Sequence, residues 1–442
     1  MTVCFPSIDL FNRPGRTALV LALLSPALAL LLPVRAGAQE PQSVRIGLTY
    51  SGSSRPGLYL LPMRGQQADS IRAIIARDID FGDRVTVIAP DSGVPPTEPL
   101  NFPLFAQLGA AAVLQLTINP AGALHVVLYE VAAGRLMHSR DFPLGVPALS
   151  PDWRRSVHAV SDEVERWSTG VAGISGTRVL FVRGGTLWQV DADGAALQQV
   201  AGVGSALGPV WHPNGTTVAF TEMLDDGTRV VVRDLARGST RRFVKERGSN
   251  SSPAFSPDGR SLVFSSGSDG TDLFLAPIDG SAQPSRVTVG RGSTNSQPTF
   301  APDGRRIAFT TSRLGRPEIY ITDSDGANPE HLTTSGFGDQ LYRADPAWSP
   351  DGRFVAFSTQ IEGRLQIATI GLRDHAVKQH TMDSVNEDPS WAPDARHLVF
   401  TSSRSGSKQL WVLDTESGRL RQLTHGPASR MAAWSPRLFS AR

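Results

Sequence analysis

Ser252-Pro-Ala-Phe-Ser-Pro-Asp-Gly-Arg-Ser-Leu-Val-Phe-Ser265 is the stretch that decides the fold, because the chain repeats it in altered form. Its aromatic position recurs at intervals of 43 to 48 residues, at Trp211, Phe255, Phe300, Trp348, Trp391 and Trp434. In five units a phenylalanine follows nine residues later, at Phe220, Phe264, Phe309, Phe357 and Phe400. A repeat of this length, built from short strands and turn residues, is typical of β-propeller blades.

Each unit predicts four strands joined by tight turns. The Pro-Asp-Gly that follows the aromatic reverses the chain, because proline presets φ, aspartate bonds the backbone ahead and glycine accepts a positive φ. Asp258, Asp303 and Asp351 are therefore interpreted as turn residues, and Asn214-Gly215 is an equivalent pair. Asp394-Ala395 departs from this pattern, which predicts either another turn type or local strain.

The two ends of the repeat region predict how the propeller closes. Trp434 heads an inner strand with no further strands after it, whereas the strands that begin at Arg178 and Leu187 have no inner strand before them. Joining the fragments completes a sixth blade and removes the exposed sheet edges that favour aggregation. The fold class is thus multi-domain: a small N-terminal α/β domain, then an all-β six-bladed β-propeller closed by the N- and C-terminal strands of its own segment.

The start of the chain predicts export. Residues 1–38 read as a signal peptide, with Arg13 and Arg16 before an apolar run and Ala36-Gly37-Ala38 as the cleavage pattern. A membrane anchor is the alternative, although two prolines interrupt the run. The only cysteine, Cys4, lies in this segment, so the mature chain has no thiol for a disulfide, a nucleophile or a metal.

Residues 39–168 have a different periodicity and predict an α/β domain. Apolar residues at helical spacing indicate helices over 68–79, 104–108 and 153–167. Strands are predicted at 58–63, 84–89 and 112–118, with a hairpin over 124–142. Residues 43–55 are compatible with an edge strand or a free tail. The glycines of residues 169–177 predict a flexible linker, and the propeller is assigned to residues 178–439.

Composition and motifs argue against catalysis. A formal net charge of +2 lacks the basic excess of a nucleic-acid-binding protein. The sequence contains neither a Gly-x-Ser-x-Gly elbow nor a His-Glu-x-x-His motif, and His375 and His380 are interpreted as solvated loop residues. Asp191-Ala-Asp-Gly194 and Asp323-Ser-Asp-Gly326 lack the ligand number of a calcium loop and are interpreted as hairpin tips. We therefore predict no catalytic residue, no metal ligand and no cofactor.

The segments that lead into the inner strands are predicted to ring the central channel at one face. They carry small polar and charged residues, as in the stretches 248–252, 293–297, 341–345 and 385–388, with Ser429-Arg430 before the last strand. Taken singly each residue fits a solvated loop, but a rigid ring of hydrogen-bonding groups is how loops commonly bind partners. The ring is therefore interpreted as a protein-binding face.

The chain resembles the TolB family of the Tol–Pal system of Gram-negative bacteria over essentially the whole mature sequence. The resemblance rests on Ser43-Val-Arg-Ile46, Arg55-Pro56-Gly57, the repeats at Pro253–Gly259 and Pro346–Gly352, and the closing Ala433-Trp-Ser-Pro436. It implies a periplasmic, non-enzymatic scaffold, here taken as a monomer, that binds a Pal-like lipoprotein and a TolA-like inner-membrane protein. It also implies a role in outer-membrane integrity and in constriction at cell division.

Carried over onto this chain, the resemblance implies two sets of partner-binding residues. The Pal-type face would comprise Ser249, Asn250, Ser252, Asn295, Ser296, Arg343, Asp345, Glu387, Asp388 and Arg430. The TolA-type segment would comprise Ser43, Val44, Arg45, Ile46, Leu48 and Tyr50, where Gly47-Leu-Thr-Tyr50 departs from the acidic continuation of the family. Two other hypotheses stay open: a propeller that binds a small ligand or glycan in its channel, and a lyase or hydrolase built on a propeller.

Overall fold

A computed structural model describes residues 55–90, 99–200, 202, 204–244, 249–267, 270–290, 292–333 and 342–438. The predictions made for residues 1–54, including the signal peptide and the TolA-type segment, lie outside these described residues. Among the described helices, none is both long and apolar enough to cross a bilayer.

The first part of the described chain forms an α/β domain. Its elements are β1 (Gly57–Leu60), α1 (Ala68–Phe81), β2 (Thr86–Ile88), α2 (Phe102–Gln107), β3 (Ala110–Ile118), β4 (Leu124–Glu130), β5 (Arg135–Phe142) and α3 (Pro151–Thr169). The sheet has the order β2-β1-β3-β4-β5, with parallel pairing on both sides of β1 and antiparallel pairing from β3 to β5. The predicted strand 58–63 is shorter than expected because Pro62 has no N–H to continue the ladder.

Helices α1 and α3 pack on one face of this sheet because their apolar residues recur at helical spacing. Ile71, Ile75 and Ile79 of α1 join Val157 and Val164 of α3 in one buried cluster with the sheet. Helix α3 begins where the Ser150 side chain accepts a hydrogen bond from the Trp153 N–H at 3.2 Å, and it ends at Gly170, which has φ +81°. These caps fix the helix that carries several interdomain side chains.

The rest of the described chain forms six four-stranded sheets, which are the six blades. Blade 1 combines β29 (Ser429–Trp434) with β6 (Arg178–Arg183), β7 (Thr186–Asp191) and β8 (Gln198–Gln199). Blade 2 is β9 (Ala206–Trp211), β10 (Thr217–Leu224), β11 (Gly227–Asp234) and β12 (Thr240–Arg242); blade 3 is β13 (Ser249–Phe255), β14 (Ser261–Gly267), β15 (Asp272–Pro277) and β16 (Ser285–Arg286). Blade 4 is β17 (Asn295–Phe300), β18 (Arg306–Thr311), β19 (Glu318–Asp323) and β20 (Glu330–His331); blade 5 is β21 (Arg343–Trp348), β22 (Phe354–Ile361), β23 (Arg364–Gly371) and β24 (Val377–Gln379). Blade 6 is β25 (Asn386–Trp391), β26 (His397–Ser405), β27 (Ser407–Asp414) and β28 (Leu420–Gln422).

The predicted closure of the ring is confirmed. Strand β29 pairs antiparallel with β6, placing Trp434 opposite Val179 and Ser429 opposite Arg183. The indole N–H of Trp434 donates to Thr177 Oγ1 at 2.8 Å, so the far end of the chain is fixed to the start of the propeller. The repeated phenylalanines, now joined by Phe181, are all buried on the second strands of the blades.

The predicted Pro-Asp-Gly turns are also confirmed. Asp258 Oδ1 accepts the Arg260 N–H at 3.0 Å, and Asp303 Oδ1 accepts the Arg305 N–H at 2.9 Å. The glycine of each turn has a positive φ, as at Gly304 (+72°). Ala395 occupies the same position with φ +56° and donates to the Ala392 carbonyl at 3.1 Å. The turn type is therefore unchanged, and of the two predicted alternatives the strained one is observed.

We expect Ala395→Gly to stabilise the protein slightly. The left-handed conformation costs a residue with a Cβ about 1–2 kcal/mol, and the added freedom of glycine in the unfolded chain offsets part of this gain. The net expectation is about 0.5–1 kcal/mol in denaturant unfolding. The matched control is Gly304→Ala. The added Cβ would have space there, with the nearest atom 3.6 Å away, but the residue has a positive φ, so stability should fall. A destabilised Ala395→Gly protein would contradict this account of the turn.

The junction between the two domains, predicted as a flexible linker, makes several hydrogen bonds to its surroundings. The carboxylate of Asp162 accepts N–H bonds from Ser175 (2.6 Å) and Gly176 (3.0 Å), and its backbone carbonyl accepts one from Gly173 (3.1 Å). Arg437 also donates to the carbonyl of Ala172 at 2.6 Å. These bonds attach the predicted linker to helix α3 and to the C-terminal segment.

Candidate partner-binding face

The direction of the inner strands defines the two faces of the propeller. The inner strands β29, β9, β13, β17, β21 and β25 contact one another around the ring. We call the surface at their first residues the channel face, and the surface that carries the Pro-Asp-Gly turns the turn face. The α/β domain contacts the turn face, because Arg84 pairs with Asp394 and Arg77 pairs with Asp193. The channel face therefore lies on the side of the propeller opposite the α/β domain.

The structure places all ten residues of the predicted Pal-type face on inner strands at this channel face. They lie in β13 (Ser249, Asn250, Ser252), β17 (Asn295, Ser296), β21 (Arg343, Asp345), β25 (Glu387, Asp388) and β29 (Arg430). Ser249 and Arg430 are exposed, and most of the others are half-buried. These residues were predicted to precede the inner strands. In the structure the inner strands begin earlier in the sequence and therefore include them.

Two predicted contact residues are instead buried. Asn250 is 2% exposed and Asn295 is 0% exposed. The amide of Asn295 donates to Asp272 Oδ1 at 3.0 Å and to the Thr271 carbonyl at 3.1 Å, so it connects its own blade to the preceding one. A bulky charged residue at either asparagine would therefore disturb the fold, and these positions cannot report on partner binding alone.

The bonds of Asn295 belong to a repeated motif, which we call the polar box. In each box a polar residue at the start of the third strand accepts a hydrogen bond from a threonine that follows the fourth strand. The accepting residue and its threonine are Asp272 and Thr288, Glu318 and Thr333, Gln366 and Thr381, and Gln409 and Thr424, at 2.7–3.0 Å. In three boxes the first residue of the next inner strand also donates to the box, through Asn295, Arg343 and Asn386. The recurring spacing of 15 or 16 residues is the sequence signal that could have identified it.

A second repeated feature was missed in the sequence. Each inner strand has a residue in the left-handed conformation three positions before its aromatic: Gly208, Ser252, Gln297, Asp345, Asp388 and Met431, with φ between +50° and +56°. The register of each inner-strand pairing shifts at this point. Five of these residues carry a side chain, and such local strain persists only where neighbouring structure enforces it. The N–H groups of Ser252, Asp388 and Met431 donate to hydroxyls of the preceding blade at 3.0–3.2 Å.

Three carboxylates of the channel face, those of Asp345, Glu387 and Asp388, interact electrostatically. Burial, followed by the charges of Asp345 and Glu387, raises the pKa of Asp388 well above its ordinary value. Burial and the charge of Glu387 raise the pKa of Asp345 as well. The amide of Gln297 donates to Asp345, while Glu387 pairs with Lys408. This part of the face can present a protonated carboxyl as a hydrogen-bond donor.

A shallow cavity lies beside these groups. It has a volume of about 260 Å³ and is lined by polar residues that include Ser252, Ser296, Gln297 and Thr310, together with Tyr342. Two of these residues belong to the predicted Pal-type face. A space of this size is below the ~300–1,000 Å³ of small-molecule sites and suits a single partner side chain.

Clusters of histidine and carboxylate in the described residues occur at the domain interface. Asp78, His158 and Asp193 form one group, and Asp83, His397 and Asp414 form the other, with candidate ligand atoms within 4.8 Å. Arginines already pair with Asp193, with Asp83 and with Asp414. These ion pairs favour a charge-paired interface over a site that binds a dication.

Ser139, His125 and Asp141 lie in the order of an acyl-transfer triad on the β4–β5 hairpin. His125 Nδ1 is 2.5 Å from Asp141 Oδ1, and His125 Nε2 is 3.5 Å from Ser139 Oγ. The Asp141 side chain is 53% exposed and also accepts from Asn119 at 3.2 Å. Such open exposure to water gives none of the shielded electrostatic stabilisation on which triads depend. We interpret the group as cross-strand hydrogen bonds of the hairpin.

The fold and the face together define a class of protein: a six-bladed propeller closed by its own C-terminal strand, with an α/β domain on the turn face and a polar channel face. Residues 164–438 match the family described as "TolB beta propeller domain". The chain therefore belongs to the TolB β-propeller family.

Known relatives agree with this assignment. The chain is 30% identical over 295 residues to the protein TolB homolog of Chlorobium chlorochromatii, which covers 62% of this chain and 64% of that protein. It is 29% identical over 227 residues to the Tol-Pal system protein TolB of Polaromonas naphthalenivorans, over 47% of this chain and 50% of that protein. The aligned chain thus spans between half and two thirds of these relatives. The crystal structure of TolB from Acinetobacter baumannii has a TM-score of 0.75 at 23% identity, covers 87% of this chain and 97% of that one, and supports the fold alone.

Proposed function

We propose that the protein is a non-catalytic periplasmic scaffold of a Tol–Pal-like envelope complex, acting in outer-membrane integrity and constriction at division. In this proposal the channel face binds a Pal-type peptidoglycan-associated lipoprotein, and residues 43–50 contact a TolA-like inner-membrane protein. The observation that carries the proposal is the position of the channel face opposite the α/β domain. Family membership and the relatives named as Tol-Pal system proteins support it.

The geometry of the channel face fits a protein partner. Exposed Ser249 and Arg430 lie on different inner strands, and between them the face offers hydroxyls, carboxyls and the 260 Å³ cavity. A rigid propeller holds these groups in place before binding, which lowers the conformational entropy lost on association. Arg430 and the half-buried Ser296 are therefore better test positions than the buried Asn250 and Asn295.

We expect Arg430→Glu and Ser296→Trp each to reduce capture of a purified Pal-like lipoprotein by at least about tenfold. The first reverses an exposed charge, and the second fills the cavity that would receive a partner side chain. Surface plasmon resonance against the immobilised lipoprotein measures the change, and circular dichroism checks that Tm stays constant. The matched control is Arg305→Glu, which reverses an exposed charge on the turn face. Unchanged capture by both channel-face variants would refute the assignment of the face.

Binding of a small ligand or glycan in the channel is the second candidate function. It is favoured by the polar left-handed residues Ser252, Gln297, Asp345 and Asp388 on neighbouring inner strands. This function predicts that a peptidoglycan fragment raises Tm in the absence of any protein partner. If instead the lipoprotein binds and the fragment leaves Tm unchanged, the scaffold function is supported.

A further inference from the structure

Two buried histidines bridge the α/β domain and the propeller. His158 of α3 has Nδ1 2.7 Å from Asp78 Oδ2 of α1, and its Nε2 faces Asp193 Oδ2 of the propeller at 3.8 Å. His397 of β26 has Nδ1 2.8 Å from Asp394 Oδ2 of the propeller, and its Nε2 faces Asp83 Oδ2 of the α/β domain at 3.9 Å. Both histidine side chains are 1% exposed. Each imidazole therefore lies between one carboxylate of each domain.

The surroundings of His158 favour its charged form. Besides the two carboxylates, it faces Arg154 of its own helix, which together with Arg77 of α1 pairs with Asp193. Burial would lower the pKa of His158, but the hydrogen bond and charge of Asp78 and the charge of Asp193 raise it above the ordinary value. A neutral ring would leave the carboxylate of Asp78 without its cationic partner in a buried site.

The surroundings of His397 hold more charges from both domains. Asp394 and Asp83 flank the ring, Asp414 lies nearby on β27, and Phe81 stacks against it with centroids 6.0 Å apart. Several arginines neutralise these carboxylates: Arg84 at Asp394, Arg396 at Asp414, and Arg55, Arg419 and Arg421 at Asp83. Burial opposes the charge of His397, but its hydrogen bond to Asp394 and the nearby carboxylate of Asp83 raise the pKa to about 9.

A carboxylic acid at the same interface also loses its proton above neutral pH. Burial, then the charges of Asp162 and Asp394, raises the pKa of Glu165 to about 8, while Arg84 lies 3.3 Å from its Oε1. Glu165 therefore gains a negative charge as pH rises toward the range in which His397 loses its positive charge. Asp162 has a pKa raised to about 6 by burial. Every change above neutral pH leaves the interface more negative.

We propose that the charged imidazoles of His158 and His397 form a latch that docks the α/β domain on the turn face, and that loss of their protons in alkaline surroundings loosens this docking. A histidine whose pKa is raised in the docked state stabilises that state fully below pH ~6.5 and loses the contribution as pH rises through the raised pKa. Docking should therefore be strongest near or below neutral pH and weaken toward pH 9–10. By linkage, the docking constant should fall by up to about tenfold per pH unit for each proton that the docked state binds in excess of the undocked state.

The test uses the full chain with Cys4→Ser and two labels, at Leu136→Cys in the α/β domain and Val377→Cys in the propeller, both exposed. Energy transfer between the labels should be constant from pH 6 to 7.5 and change as pH rises past 9. The His158→Gln/His397→Gln variant should lose this transition. His375→Gln, which replaces an exposed histidine, and Glu165→Gln should both retain it.

A second measurement does not depend on the folding of any variant. Imidazole proton shifts of the native chain, followed by NMR, should show His397 with a pKa of about 9 and His158 with a pKa above its ordinary value. Ordinary titration of all histidines near pH 6.5 would overturn the proposal. So would constant energy transfer from pH 6 to 10, a transition that persists in the double variant, or one that disappears in Glu165→Gln.

Discussion

A chain that ends at Ala428 is expected to lose the cooperative unfolding of the whole propeller, with a loss of stability on the order of 5–10 kcal/mol. The truncation removes β29, which is the inner strand of blade 1. Trp434 is 6% exposed, and the loss of such a side chain alone costs about 3–5 kcal/mol. The truncation also leaves β6 as an unpaired edge, which favours aggregation.

The effect should spread around the ring because β29 bonds to both neighbouring blades. The Trp211 indole N–H of blade 2 donates to the Ala433 carbonyl at 3.1 Å, and the Trp434 N–H donates to Ser390 Oγ of blade 6 at 3.0 Å. Denaturant unfolding followed by tryptophan fluorescence measures the loss. A chain that ends at Leu438 keeps β29 and serves as the matched control. An Ala428 truncation that unfolds at the same midpoint as this control would contradict the closure argument.

The closure was predictable because it follows from local pattern and from the geometry of sheets. Each aromatic and its phenylalanine lie nine residues apart, so one turn type and one register suffice to place both in the core between blades. The strands that begin at Arg178 and Leu187 lack an inner strand, and the strand that carries Trp434 has no strands after it. Only the pairing of these two fragments leaves no inner strand edge unpaired. The repeated sequence carries this information independently of any long-range side-chain contact.

The sequence predicted where the channel face lies, but not which of its residues are bonded within the fold. The sequence shows that Asn295 and Arg343 are polar and precede an aromatic, but not that their partners lie on the preceding blade. Asn295 bonds to Asp272, and Arg343 bonds to Glu318, across 23 and 25 residues. The interdomain histidine–carboxylate contacts are still harder to predict from sequence, because His397 and Asp83 are more than 300 residues apart and share no sequence pattern. Pairings of that kind depend on the docking of two folded domains.

Glu318→Ala is expected to destabilise the protein by about 3–5 kcal/mol, because it removes one partner from a buried ion pair. The Glu318 side chain is 0% exposed, and its Oε2 lies 3.1 Å from Arg343 Nη1 and 3.0 Å from Thr333 Oγ1. Burial opposes its charge, but the bonds to Arg316, Arg343 and Thr333 lower its pKa below the ordinary value. The charge of Glu318 is therefore compensated by Arg316 at Oε1 and by Arg343 at Oε2.

The polar box of the next blade supplies the matched variant for this test. There Gln366, Thr381 and Asn386 occupy the same positions without any charge, and both Thr381 and Asn386 donate to Gln366 Oε1. The double variant Glu318→Gln/Arg343→Asn copies this set into the box formed by blades 4 and 5, and should recover most of the stability lost in Glu318→Ala. Urea unfolding of Glu318→Gln, of Arg343→Asn and of the double variant should give a coupling energy between the two positions of about 1–3 kcal/mol. A double variant as unstable as Glu318→Ala would show that the boxes are not interchangeable.

The same double variant separates the structural role of Arg343 from its predicted contact with a lipoprotein. Arg343 is predicted on the Pal-type face, yet it donates to Glu318 Oε2 and to the Thr333 carbonyl at 2.6 Å. If its role is to join blades 4 and 5, the double variant should capture the lipoprotein as well as the native chain does. If its guanidinium contacts the partner, capture should fall by about tenfold although stability is restored. Because stability and capture are measured on one protein, each result assigns Arg343 to one role.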